Sequence, residues 1–232
     1  MALERAIVLV ATVGLTVGLL ACRARSKSPN PGNPDDPISD GASARASLLT
    51  VQSPAPKSPP SLASAPSLNL GLSVDAAYAA IPHRRTAMNF AAANLPDADK
   101  RFLEVAFHVI DEGIRFRVAA SQSLARHETT DPQLFSDMDR VVAFFQNTEP
   151  PVALAAYQTL LLQALSDQRA FLEDWRRQGP AFPEQTLAVH PRVQSASGAL
   201  RAAYQTLIAR YPEQGASNKD AFFDYHCALD FL

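Results

Sequence analysis

Residues 96–127 read PDADKRFLEVAFHVIDEGIRFRVAASQSLARH, and the spacing of the apolar side chains in this stretch decides the fold class. Phe102, Leu103, Ala106, Phe107, Val109, Ile110, Gly113, Ile114 and Val118 recur at intervals of three and four, the stripe of an α-helix that faces a core. Pro96 suits a helix start, and Asp97 and Asp99 place negative charge at the positive end of the macrodipole. The pattern predicts a long helix that ends near His127, before Thr129-Thr130.

Downstream, Thr130-Asp131-Pro132-Gln133 has the form of a capping box, and Leu134, Met138, Val141, Val142 and Phe145 make the inner face of the helix it opens. Thr148, ahead of Glu149-Pro150-Pro151, is read as the start of a third helix that runs to Arg177 and stops at Gly179-Pro180. A fourth covers Pro191 to Arg210 and is closed by Pro212 and Gly215. Ser217 is placed to cap a last, short helix carrying Phe222, Phe223, Tyr225 and Leu229, and Val74 to Ile81 forms a short helix lying across the others. No run alternates convincingly as a strand would. Short connections between long helices make neighbours antiparallel, so residues 68–232 are expected to form an all-α antiparallel bundle of about four long helices with short flanking ones.

One sextet repeats word for word: Ala155-Ala156-Tyr157-Gln158-Thr159-Leu160 and Ala202-Ala203-Tyr204-Gln205-Thr206-Leu207. Two copies are too few for a solenoid. They are read as packing elements, each turning its tyrosine inward with the hydroxyl at the rim.

Upstream of the bundle the composition changes. Nine of the 18 prolines lie between Pro29 and Pro66, among Ser, Ala, Asn and Gly, with no aromatic residue. Such a segment buries too little apolar surface to offset the entropy of ordering itself, and its prolines favour extended polyproline II. Residues 22–67 are therefore expected to be a disordered linker, a semi-stiff spacer.

Before the linker, Ala6 to Ala21 carries no charge and only two hydroxyls, and it ends in Leu19-Leu20-Ala21-Cys22. A basic start, an apolar run and a small residue at the end form the layout of a secretory signal over residues 1–21. Leu19 to Cys22 resembles the lipobox of bacterial lipoproteins. That resemblance implies a diacylglyceryl group on the Cys22 thiol, cleavage before Cys22, and a chain held at the membrane of the cell envelope, facing the periplasm or exterior. Arg23, Arg25 and Lys27 support an alternative, since they outnumber Arg5 ahead of the run: an uncleaved single-pass anchor with a cytoplasmic scaffold domain. Cys227, the second cysteine, reads as a small buried apolar residue.

Catalytic signatures are missing. The chain has no Cys-x-x-Cys-His, no His-Glu-x-x-His, no phosphate-binding Walker loop and no Gly-x-Ser-x-Gly, and nine glycines leave little material for a phosphate cradle. A net charge of −2 implies no nucleic-acid face, and no cofactor is indicated. The densest constellation is Glu104, His108, Asp111, Glu112 and Arg115 on the first long helix. Glu104, His108 and Glu112 are the residues from which a metal site, or a hydrolytic enzyme, would be built. They lie opposite the apolar stripe, however, and no later helix offers a matching Glu/His pair. The expectation is a solvated face with i,i+4 pairs, Glu104 to His108 and Asp111 to Arg115.

The second constellation is Pro82-His83-Arg84-Arg85-Thr86, with Tyr78 ahead of it. His83, Arg84, Arg85 and Tyr78 could hold a phosphate or carboxylate. Alternatively, Arg84 and Arg85 pair with carboxylates and pin the N-terminal segment to the bundle. Trp175-Arg176-Arg177 is expected to close a helix and cover the rim, His190 to sit in a turn, and His226-Cys227 to diverge too far on a helix for easy chelation. Taken together these features point to a non-enzymatic binding or scaffold module, tethered to a membrane and docking an envelope protein or polymer.

Overall fold

The structure, a computed structural model, describes residues 57–128, 130–179, 182 and 184–231; the apolar leader, Cys22 and most of the proline-rich segment lie outside the described residues. Six α-helices follow in order: α1 (Val74–Ala79), α2 (Asp97–Ala125), α3 (Pro132–Asn147), α4 (Ala155–Gln178), α5 (Pro191–Arg210) and α6 (Ala216–Leu229). Among the described residues 3-10 turns at Leu62–Ser64, Val152–Leu154 and Glu184–Val189 punctuate them, and no strand occurs. The fold is all-α, with α2 to α5 as its long members.

The quoted stretch forms the central helix. Between Val105 and Val118 every residue of α2 is buried except half-buried His108, because α1, α3, α4 and α6 all pack against it. Phe116 meets Phe135 of α3 edge-on at 5.2 Å, and Phe102 meets Phe145 at 5.6 Å. On another side Phe107 stacks on Tyr225 of α6 at 4.5 Å. Each fully buried phenylalanine contributes roughly 1.5–3 kcal/mol. Gly113 allows the closest approach: a Cβ there would lie 2.9 Å from Leu165 of α4 and 3.0 Å from Leu229 of α6.

Helix ends depart from the sequence reading by a few residues, each for a local reason. α2 stops in a Schellman turn, with Glu128 N–H on Ser123 O and His127 N–H on Leu124 O, and His127 takes the left-handed conformation, φ 57°. Asp131 caps α3 by accepting from Gln133 N–H, so the cap is one residue later than Thr130. Thr148 ends α3 and does not open α4: its hydroxyl bonds back to Phe144 O, and Pro150-Pro151 delays the next helix to Ala155. His190 is the N-cap of α5, its Nδ1 accepting from Arg192 N–H, and Gly215, in place of Ser217, caps α6.

The repeated sextet does not repeat in space. Its first copy buries Tyr157 and Gln158, its second Ala203 and Leu207, a difference of one position in the buried register. Tyr157 is wholly inside, whereas Tyr204 is half-buried with its ring edge-on to Phe223 at 5.7 Å.

Candidate functional site

The polar side of α2 is where the sequence reading and the structure part company. Asp111, Glu112 and Arg115 are 6%, 2% and 7% exposed, so this is no solvated face. The cover is the N-terminal segment, including residues 57–67 of the expected linker, which here pack on the bundle. This strap enters beside the α3–α4 junction, where Ser58 exchanges backbone hydrogen bonds with Asn147 O (2.8 Å) and Glu149 N–H (2.7 Å). Lys57 there donates to Gln158 Oε1 at 3.1 Å. Gln158, on α4, spends its amide N–H groups on Phe145 O and Thr148 O at the end of α3.

Farther along, the strap crosses α2 and is held by its main chain. Arg115 makes five hydrogen bonds, matching its five N–H donors. Nη1 reaches both oxygens of Glu112 at 2.9 and 2.7 Å, Nε reaches Leu72 O at 2.8 Å, and Nη2 reaches Leu68 O and Leu70 O at 3.1 and 3.2 Å. Glu112 also accepts Leu68 N–H at 2.9 Å, and His108 Nε2 lies 2.9 Å from Pro66 O. On the opposite side, Asp137 of α3 receives Asn69 N–H, and its carboxyl is held below the usual range, chiefly by the Gln133 amide at 2.5 Å. The expected pairs Glu104–His108 and Asp111–Arg115 are replaced by Glu112–Arg115 and Asp111–Arg85. Carbonyls at alternate positions face one way because backbone direction alternates along a non-helical chain.

The loop after α1 fastens the strap's downstream end. Arg85 Nη2 pairs with Asp111 at 2.7 Å, Nη1 with Asp75 at 3.4 Å, and its guanidinium lies 5.6 Å from the Tyr78 ring centre. Tyr78 donates to Asp111 at 3.3 Å; burial first, and Asp111 second, push its hydroxyl pKa up. Arg84 turns to α6, with Nε on Asp224 at 3.0 Å and Nη2 within 3.3 Å of Asp220, and Thr86 also donates to Asp224 at 2.5 Å. Thus the structure brings Tyr78 and Arg85 together on Asp111, sends Arg84 elsewhere, and leaves His83 exposed. Both arginines are engaged by carboxylates, two on each. The pinning alternative describes this geometry.

Glu104, His108 and Glu112 are not gathered into a ligand set: His108 faces Pro66 O and Glu112 is taken by Arg115 and Leu68 N–H. Among the described residues no group of three or more His, Cys, Asp or Glu is placed to hold a metal ion. His226, considered with Cys227, is buried, with Nδ1 2.6 Å from Phe222 O and its ring 5.7 Å from that of Tyr157. Neither His226 Nε2 nor the Tyr157 hydroxyl has a hydrogen-bond partner among the described residues, and burial lowers the His226 pKa to about 4. Trp175 is buried and stacks on Phe182 at 5.1 Å, deeper than a rim cover.

Two further buried side chains leave no mark in the sequence, because single polar residues inside an apolar run carry no periodic signal. Arg117 of α2 donates to Asp230 O (2.7 Å) and Ala228 O (2.8 Å), and Gln168 of α4 donates to Leu229 O (2.5 Å). Three carbonyls at the end of α6 are therefore satisfied from two other helices. Where the strap passes α3, a shallow cleft of about 200 Å³ lies among Asn69, Leu70, Ser123, Thr130, Asp131 and Asp137. Polar groups at the α2 site are spent on the chain's own backbone, an arrangement that recognises main chain. The chain matches no family model, and no curated protein or solved structure is significantly similar to it.

Proposed function

We propose that the protein is a lipid-anchored helical module of the bacterial cell envelope that docks another envelope protein or polymer. The observation that carries this reading is Leu19-Leu20-Ala21-Cys22 at the end of an uncharged apolar run, followed by a proline-rich spacer. The bundle fits such a role: its N-terminal arm is fastened to the central helix through Glu112 and Arg115, at the place where a spacer would join. The absence of catalytic motifs from the sequence favours docking over catalysis. Metabolic labelling with a palmitate analogue tests the anchor. The wild-type chain takes up label and Cys22→Ser does not; equal labelling of both, or of neither, removes the lipid anchor.

Arg23, Arg25 and Lys27 favour a second reading, a spanning leader with the bundle in the cytoplasm. No helix among the described residues is long and apolar enough to cross a membrane, so such a span would have to come from the leader. A C-terminal reporter active only in the cytoplasm would establish that orientation, and one active only outside would dismiss it.

A further inference from the structure

The cleft where the strap passes α3 differs in character from the filled contacts over the central helix. Its volume is about 200 Å³, and among the described residues no lysine, arginine or histidine lines it. Two carboxylates do, Asp131 and Asp137, and they are not equivalent. Asp137 is buried and engaged by the Gln133 amide, by Asn69 N–H and by Arg140 Nη2 at 2.7 Å, and Arg140 offsets its charge. Asp131 is exposed; Oδ1 accepts Gln133 N–H at 2.8 Å, and Oδ2 has no partner among the described residues. The cleft therefore keeps the single negative charge of Asp131.

Thr130 supplies an independent observation. It is 4% exposed and lines the cleft, yet its hydroxyl has no hydrogen-bond partner among the described residues. A buried hydroxyl left unpaired is costly, so a ligand that satisfies it is favoured. Ser123 adds a second hydroxyl, and Leu70 of the strap and Leu134 of α3 add apolar wall.

We infer that this cleft binds a primary alkylammonium, its head on Asp131, Thr130 and Ser123 and its stem along Leu70 and Leu134. An ammonium carries one positive charge and three N–H donors, which match one unbalanced carboxylate and two hydroxyls. Its methylene stem lies on apolar surface while the head stays among polar groups. A guanidinium brings five donors in a rigid fork, and calcium calls for about six to eight oxygens, so both fit this set less well. Because Leu70 belongs to the strap, a bound ammonium spans strap and α3. The site stands whether or not Cys22 is lipidated.

The test titrates the full-length chain, labelled with heavy nitrogen and held in non-ionic detergent micelles, with butylammonium chloride at constant ionic strength. The amide resonances of Thr130, Asp131 and Leu134 are expected to shift saturably, and butanol, which has the same stem and no charge, to leave them in place. Asp131→Asn keeps the helix cap, since asparagine caps as well as aspartate, and is expected to weaken binding by about tenfold or more. Thr130→Val keeps the shape and is expected to weaken it by about threefold. No saturable shift at these amides, shifts that butanol reproduces, or undiminished binding by Asp131→Asn overturns the inference. Calcium chloride acting on the same amides at lower concentration also overturns it, in favour of a divalent cation. The butanol and calcium comparisons need no variant, so they decide if a variant fails to fold. Nα-acetyl-lysine methylamide and 1,5-diaminopentane then separate the sources: binding of the first alone assigns a lysine side chain, binding of the second alone a free polyamine. Binding of both supports the ammonium chemistry, and failure of both overturns it.

Discussion

Arg115 and Glu112, one turn apart on the central helix, form a buried ion pair whose remaining hydrogen-bonding capacity is directed at the backbone of residues 68–72. Neither charge can be removed alone without stranding the other. Arg115→Met is expected to lower stability by about 3–5 kcal/mol, the range for an uncompensated buried charge. The double variant Arg115→Met/Glu112→Leu is expected to recover part of that loss, yet to leave the strap open to protease because three carbonyls have lost their donor. Urea unfolding and limited proteolysis of the three chains check both statements.

Gly113 sits between α4 and α6, with Leu165 and Leu229 closer than ordinary contact to an added Cβ. Gly113→Val adds two further methyl groups to that volume. Overpacking of this kind costs about 1–3 kcal/mol. The expected result is a lower unfolding midpoint with unchanged slope in urea.

His127 closes the α2 Schellman turn in a left-handed conformation, φ 57°, that glycine adopts without strain. His127→Gly is expected to raise stability by about 0.5–1 kcal/mol, the relief of strain exceeding the added entropy of the unfolded chain. Thermal unfolding at fixed pH provides the measurement.

His226 is neutral inside the bundle, its pKa lowered by burial from 6.5 to about 4, with a smaller opposing effect from Phe222 O. A folded-state pKa below the unfolded one means that the unfolded chain binds the proton more readily. Stability is then intact above pH 6.5, falls as pH drops from about 6.5 to about 4, and levels off below that, a total of about 3 kcal/mol. His226→Gln is expected to flatten this portion of the pH–stability curve; a curve that keeps the same slope between these pH values would contradict the assignment.

The long helices were legible because apolar side chains repeat at helical spacing and because Pro, Gly and Asp mark their ends. The cover over α2 was not. A stripe shows which side of a helix is most apolar, but says nothing of a segment that packs on its polar side. Residues 57–73 share the prolines and serines of the linker, and they are held by hydrogen bonds from buried side chains, which leave no periodic trace. One signal was present: Leu68, Leu70 and Leu72 alternate just where the proline-rich stretch ends. The same limit applies to Arg117 and Gln168, whose partners are carbonyls at the far end of the chain. In the Tyr78–Arg85 loop the residue types allowed two readings, and only the positions of Asp75, Asp111, Asp220 and Asp224 separate them.

The anchor is the claim on which the functional account rests, and intact mass spectrometry of the chain extracted from bacterial membranes tests it most directly. The account predicts a mature chain that begins at Cys22 and carries a diacylglyceryl group, with the further mass of an amino-terminal acyl chain. A chain that retains residues 1–21, or one that begins at Cys22 with no added lipid, would contradict it.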